Sequence, residues 1–146
     1  MHMKTIKQLF LVSSLVLMAQ VSNAAPLISN KEAALPPAGG QTRGISRGPT
    51  IKVSSPTPDV ATASPFDFRI SFVPRGESKI DVESVKVVYM KSPFVNLTPR
   101  LRESISDKGI DFSKAEVPPG NHTIRVTVAD NEGRETSSVF TLLVVK

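Results

Sequence analysis

The last thirty residues of the chain, residues 117–146, constrain its fold more than any other stretch. Ile124, Val126 and Val128 alternate with polar residues, which is the period of a strand with one buried face. A turn-forming sequence follows at residues 130–133, and residues 139–145 form a second, more apolar run. Because a two-stranded hairpin is only marginally stable alone, this pattern predicts a larger sheet built from upstream residues.

Several upstream stretches have the same strand period. The clearest is residues 66–72, where four large apolar side chains alternate with polar ones. Shorter patterns lie at residues 51–53, 85–89, 94–97 and 109–112. About seven short strands with turn signals between them are typical of an antiparallel β-sandwich, so we predict an all-β fold.

The inward-facing residues of these strands define a predicted core. We expect the following side chains to meet between two sheets: Phe68, Ile70, Phe72, Val85, Val87, Ile124, Val126, Phe140 and Leu142. Residues 98–107 interrupt the strand pattern. Thr98 and Pro99 resemble a helix start, and Leu101 and Ile105 are spaced four apart, although the same spacing fits a strand. We expect a short helix near 99–107, with a strand as the alternative.

The beginning of the chain has the three parts of a secretory signal peptide. Lys4 and Lys7 precede an apolar run at residues 9–19, and small residues lead up to Ala24. We predict a signal peptide over residues 1–24, cleaved after Ala24, and a periplasmic or secreted protein. The apolar run is short for a bilayer span, so an uncleaved anchor is the alternative and no membrane insertion is expected after cleavage.

Residues 25–49 are rich in proline and glycine and have no apolar periodicity. Such a composition buries too little surface to offset the entropy lost on ordering, so it predicts a flexible linker. The folded domain is accordingly predicted over residues 50–146. The sequence contains no cysteine, which excludes disulfides and a cysteine-linked lipid anchor.

Composition limits the classes of partner. The net charge is +5, including the two leader lysines, and no block of lysine and arginine occurs. Tryptophan is absent and Tyr89 is the one tyrosine, so platforms for stacking bases or sugars are lacking. These features argue against a nucleic-acid partner.

The sequence offers little for catalysis or metal binding. Behind the leader the one histidine is His122, which we expect at the end of a strand in a structural role. No G-x-S-x-G elbow precedes a helix, and residues 130–133 lack the spaced acidic ligands of an EF-hand. We therefore expect no enzymatic activity, no cofactor and no metal site.

Three segments of the C-terminal half resemble a known class of domain. Residues 119–126, 130–134 and 140–144 resemble the end of a bacterial immunoglobulin-like or fibronectin-type domain. The resemblance implies an immunoglobulin-like sandwich over residues 50–145. It does not imply an activity, since this fold serves many functions.

A second resemblance concerns residues 55–59 and 68–72, which are similar to the start of periplasmic copper-resistance sandwiches. That family binds copper through a histidine at the mature N-terminus together with further histidines and an aspartate. Here the mature chain would begin at Ala25, and Asn131 to Arg134 replace the family's Asp-Gly-His turn. A metal- or small-ligand-binding periplasmic sandwich is therefore the alternative function.

The immunoglobulin-like strand order also predicts an interaction surface. In that order the third, sixth and last strands share a sheet. If Phe140, Leu142 and Val144 point inward, the outward side chains form an apolar patch with basic flanks, consisting of Lys86, Val88, Met90, Arg125, Thr127, Leu143 and Val145. Coverage of this patch by the linker or by residues 98–107 is the alternative. We predict an exported, non-catalytic module that binds a protein or another envelope component.

Overall fold

A computed structural model describes residues 25–39 and 45–146, so the predicted signal peptide lies outside the described residues. No helix in this part of the chain is long and apolar enough to cross a membrane. The elements are β1 (Ala25–Pro26), α1 (Asn30–Ala33), β2 (Ile45–Ser46), β3 (Thr50–Ser55), β4 (Ala61–Ala63), β5 (Phe66–Val73), β6 (Ile80–Tyr89), β7 (Val95–Asn96), α2 (Thr98–Leu101), a 3-10 turn (Arg102–Ser104), β8 (Ile105–Ser106), β9 (Gly109–Glu116), β10 (Gly120–Asp130) and β11 (Glu135–Val145).

The strands form two sheets packed as a β-sandwich, which confirms the predicted all-β fold. The first sheet has the order β1-β9-β5-β3, with β8 also on β9, and the second has the order β2-β11-β10-β6-β7, with β4 also on β11. Two of the short strands, β1 and β4, pair in parallel with β9 and β11, so the sheets are mixed. The described residues contain eleven strands, more than the predicted seven or so. The difference arises because several edge strands have only two or three residues and are too short to show a period.

The core lies between the two sheets, and all nine predicted core residues are buried there. The rings of Phe68 and Phe140 stack across the interior with centroids 6.3 Å apart, which joins β5 to β11. Full burial of each such side chain is worth about 1.5–3 kcal/mol relative to exposure. The period-two pattern therefore identifies the faces of the long strands correctly.

Residues 25–39, the described first part of the predicted linker over residues 25–49, pack on the sandwich and are called the N-terminal arm below. Leu27 and Ile28 are 0% and 2% exposed and belong to the core, and the Leu27 N–H donates to the Glu116 carbonyl oxygen at 3.0 Å. Ser29 and Glu32 cap α1 reciprocally, each side chain accepting from the other residue's backbone N–H. Two buried apolar residues are too few to show a period, and the proline and glycine content of this stretch therefore led to the prediction of a linker.

The arm runs from the first sheet to the second along one side of the sandwich. Arg100 donates to the Leu27 carbonyl oxygen at 2.8 Å and forms a two-pronged ion pair with Glu32. Farther along the arm, the Ala38 N–H donates to the Met90 carbonyl oxygen at 3.1 Å, at the end of β6. The arm thereby links β9 to β6.

Residues 98–107 contain both of the predicted alternatives in succession. α2 and the 3-10 turn come first, and β8 then pairs with β9. Thr98 does not cap the helix, because Leu97 occupies the N-cap position without a side-chain hydrogen bond. The Thr98 hydroxyl instead accepts from the Val87 N–H at 2.9 Å, which fixes α2 against β6.

Candidate functional site: the outer face of the second sheet

Three long strands of the second sheet, β6, β10 and β11, build a continuous surface on the side opposite the core. The register places Arg125 between Val88 and Val139, and Thr127 between Lys86 and Ser137. The buried neighbours on either side of Arg125, Ile124 and Val126, point to the core. Alternation along each strand therefore sends polar and apolar side chains together to the opposite surface.

All seven residues of the predicted patch lie on this side of the sheet. Phe140, Leu142 and Val144 are buried, which settles the orientation of β11 that its two apolar faces left open. Val145 is 40% exposed and Leu143 is half-buried. The surface, called the outer face below, consists of Lys86, Val88, Met90, Phe94, Arg125, Thr127, Val139, Leu143 and Val145. Its role in binding stays a prediction.

Phe94 is the part of the outer face that sequence reasoning missed. Its side chain is 57% exposed, and the Arg125 guanidinium carbon lies 5.5 Å from the centre of its ring. A cation over an aromatic face at an exposed site is worth about 0.5–1 kcal/mol. Asn96 pairs with the outward-facing Val88, so strand alternation places Phe94, two residues before Asn96, on the same outer side. The sequence alone does not reveal this pairing.

The described parts of the two segments named as the alternative cover, the N-terminal arm and residues 98–107, leave the centre of the patch open. The arm reaches only its edge, where Ala38 bonds to the backbone of Met90. α2 packs toward the core, since its Leu101 side chain is fully buried. Val139, in the centre of the face, retains 36% exposure.

His122 is an interior residue rather than a free ligand. Its Nε2 atom lies 2.7 Å from the Pro118 carbonyl oxygen and its Nδ1 atom 2.8 Å from the Tyr89 hydroxyl. Since a carbonyl can only accept, Nε2 carries the proton and Nδ1 accepts from Tyr89. Burial lowers the pKa of His122 and raises the pKa of Tyr89 to about 12, with the Glu32 charge adding to the tyrosine shift.

In the turn between β10 and β11, the Asp130 carboxylate is occupied by hydrogen bonds within the turn. Asp130 accepts from the N–H groups of Glu132 and Arg134, each at 3.0 Å, and from the Arg134 Nε at 2.8 Å. Burial raises the pKa of Asp130, but these hydrogen bonds outweigh it and lower the pKa overall. Within residues 25–39 and 45–146, no three histidine, cysteine or acidic side chains are grouped so that they could hold a metal ion.

Comparisons with known proteins add no family to this description. No family model matches the chain, and no curated protein matches its sequence significantly. The geometry of the fold and of the outer face is therefore the basis for the functional proposal.

Proposed function

We propose that this chain is an exported, immunoglobulin-like, non-catalytic module that binds a protein or another envelope component through the outer face. The strand order supports the immunoglobulin-like part of the proposal. β3, β5 and β9 share one sheet, whereas β6, β10 and β11 share the other, as the first, second and fifth strands and the third, sixth and last strands do in that fold. The composition of residues 1–24 supports export.

The observation that carries the binding proposal is that exposed Phe94, beside the edge strand β7, contacts Arg125 on the central strand β10. Aromatic and arginine side chains are enriched at the centres of protein interfaces, where they account for most of the binding energy. Val88 and Val139 flank Arg125 on the neighbouring strands. A partner that covers Phe94 and Val139 would remove apolar surface from water while retaining the guanidinium contact.

Site-specific photo-crosslinking in the cells that naturally produce the protein tests this proposal. A photoreactive amino acid replaces Val139, and a matched control carries it at Val73, which is 46% exposed on the first sheet. We expect a specific adduct from position 139 alone, reduced at least about tenfold by Phe94→Ala, since truncating an interface hot spot costs about 2 kcal/mol or more. Equal labelling from positions 139 and 73, or no adduct from either, would contradict the proposal.

A further inference from the structure

Two acidic residues next to the outer face and its two cations form bands of opposite sign along β6, β10 and β11. Asp81 and Glu135 flank Ala129 on the two neighbouring strands and form an acidic band near one end of the sheet. Lys86 lies beside Thr127 in the next row, and Arg125 lies one row farther from that end. Rows on one face are about 7 Å apart, because two strand residues rise about 3.4 Å each.

The cations of the outer face lack carboxylate partners among the described residues. Arg69, Arg100 and Arg134 all form ion pairs elsewhere in the structure, whereas no described carboxylate oxygen lies within 4.0 Å of the Lys86 or Arg125 nitrogens. Along the backbone of β10, Arg125 is two rows, or about 14 Å, from Ala129, which lies between Asp81 and Glu135. This separation exceeds the screening length of about 8 Å at physiological salt, so the band does not neutralise Arg125.

The apolar part of the outer face lies on the side of Arg125 away from the acidic band. Going from Arg125 toward the start of β10, the next row of the face contains Met90, Thr123 and Thr141. The row after it contains Leu143 beside Asn121, with Val145 beyond them. The centre of the Phe94 ring lies 5.5 Å from the guanidinium carbon of Arg125. A ligand carboxylate is thus attracted to Lys86 and Arg125 and repelled by Asp81 and Glu135. The surface beyond Arg125, on the side away from the acidic band, suits apolar groups of the same ligand.

From this arrangement we infer that the partner is a protein segment that places a carboxylate on Lys86 and Arg125 and apolar side chains on the Phe94, Leu143 and Val145 side. The inference rests on the proposed function and specifies the chemistry of its partner. The acidic band fixes the direction of the segment, because the reversed orientation would bring its carboxylate against Asp81 and Glu135.

Selection of random dodecapeptides displayed on phage tests this chemistry on the exported protein. The variant is the double charge reversal Lys86→Glu with Arg125→Glu. The control reverses Lys52 and Arg75, two exposed cations outside the outer face that form no ion pair among the described residues, so that net charge changes equally. Thermal melting first verifies that both variants are folded.

We expect the wild type and the control to enrich peptides with aspartate or glutamate next to apolar residues. Charge reversal at Lys86 and Arg125 should weaken the binding of these peptides at least about tenfold, equivalent to about 1.4 kcal/mol. Selection on this variant should enrich basic peptides instead. Enrichment of no peptide, or of peptides without acidic residues, would overturn the inference. Acidic peptides that survive the reversal but are lost on Val139→Lys would overturn it while leaving the proposed function intact.

Discussion

At the residue scale, His122 shows how burial fixes the protonation state of a group that titrates near neutrality. The ring is 2% exposed and its two nitrogens are occupied by Tyr89 and the Pro118 carbonyl. Burial is the main reason that its pKa is lowered, and the nearby Lys91 charge acts in the same direction. The imidazole therefore stabilises the sandwich in its neutral form.

This protonation state predicts a pH dependence of stability. The pKa of His122 is lower in the folded chain than its unfolded value of about 6.5, so on acidification the unfolded chain binds a proton at a higher pH than the folded chain does. The contribution of neutral His122 to the free energy of unfolding is therefore fully present above pH 6.5 and is lost as the pH falls. We expect the free energy of unfolding in urea to decrease from pH 7.5 to 5.0, and His122→Gln to remove most of this slope.

The chosen range separates His122 from the acidic groups. Glu32, whose pKa is lowered to about 2 mainly by the hydrogen bond from Arg100, contributes stability that is lost only below its unfolded value of 4.5. Asp130 likewise has a lowered pKa and loses its contribution as the pH falls below 3.8. An equal slope in wild type and His122→Gln between pH 7.5 and 5.0 would contradict the assignment.

At the scale of elements, the N-terminal arm acts as part of the sandwich rather than as a tether. It contributes β1 to the first sheet and Leu27 and Ile28 to the core, and it bonds to the end of β6. The Ser92 N–H also donates to the Pro36 carbonyl oxygen at 2.8 Å, which ties the arm to the loop that carries Phe94. The arm therefore supports both the core and the edge of the outer face.

Truncation of one arm side chain measures this contribution. Leu27→Ala should lower the free energy of unfolding by about 2–5 kcal/mol, the range for removing a large buried aliphatic side chain. The control, Lys31→Ala, lies on the exposed side of α1 and should change it by less than about 0.5 kcal/mol. Chemical denaturation measures both. Indistinguishable unfolding curves for the two variants would show that the arm is not bound in solution.

At the scale of the whole molecule, β11 separates the core from the outer face residue by residue. Leu142 is 1% exposed and lies between the sheets, whereas its neighbour Leu143 is half-buried on the opposite side. The two leucines have the same chemistry and adjacent positions. Their different environments come from the pairing of β11 with β10, which places Leu143 opposite Asn121.

Substitution of each leucine by lysine tests this division. Leu142→Lys should prevent folding, because it buries an unpaired charge between the sheets. Leu143→Lys should remain folded, since a lysine on the outer face can extend its ammonium group into water. Circular dichroism melting and light scattering measure the fold and the mass. If Leu143→Lys also unfolds, the outer face near Val145 is part of the core.

The faces of β5, β6 and β10 follow from the sequence alone, because the alternation of apolar and polar residues places seven of the nine predicted core residues on them. β11 is apolar on both faces, so only the structure decides that Phe140 and Leu142 point inward and Leu143 outward. A local signal for α1 was also present, since Ser29 and Glu32 have the spacing of a capping box. Its neighbours, rich in proline and glycine, favoured a linker instead.

Only the tertiary structure decided which short segments join the sheets and which side chains meet across them. β1 and β4 have two and three residues, and their parallel pairing with β9 and β11 depends on partners far along the chain. The contact of Phe94 with Arg125 likewise requires β7 to pair with β6 and β6 with β10. Local periodicity has no information about such pairings, because they depend on the free energy of the assembled sandwich.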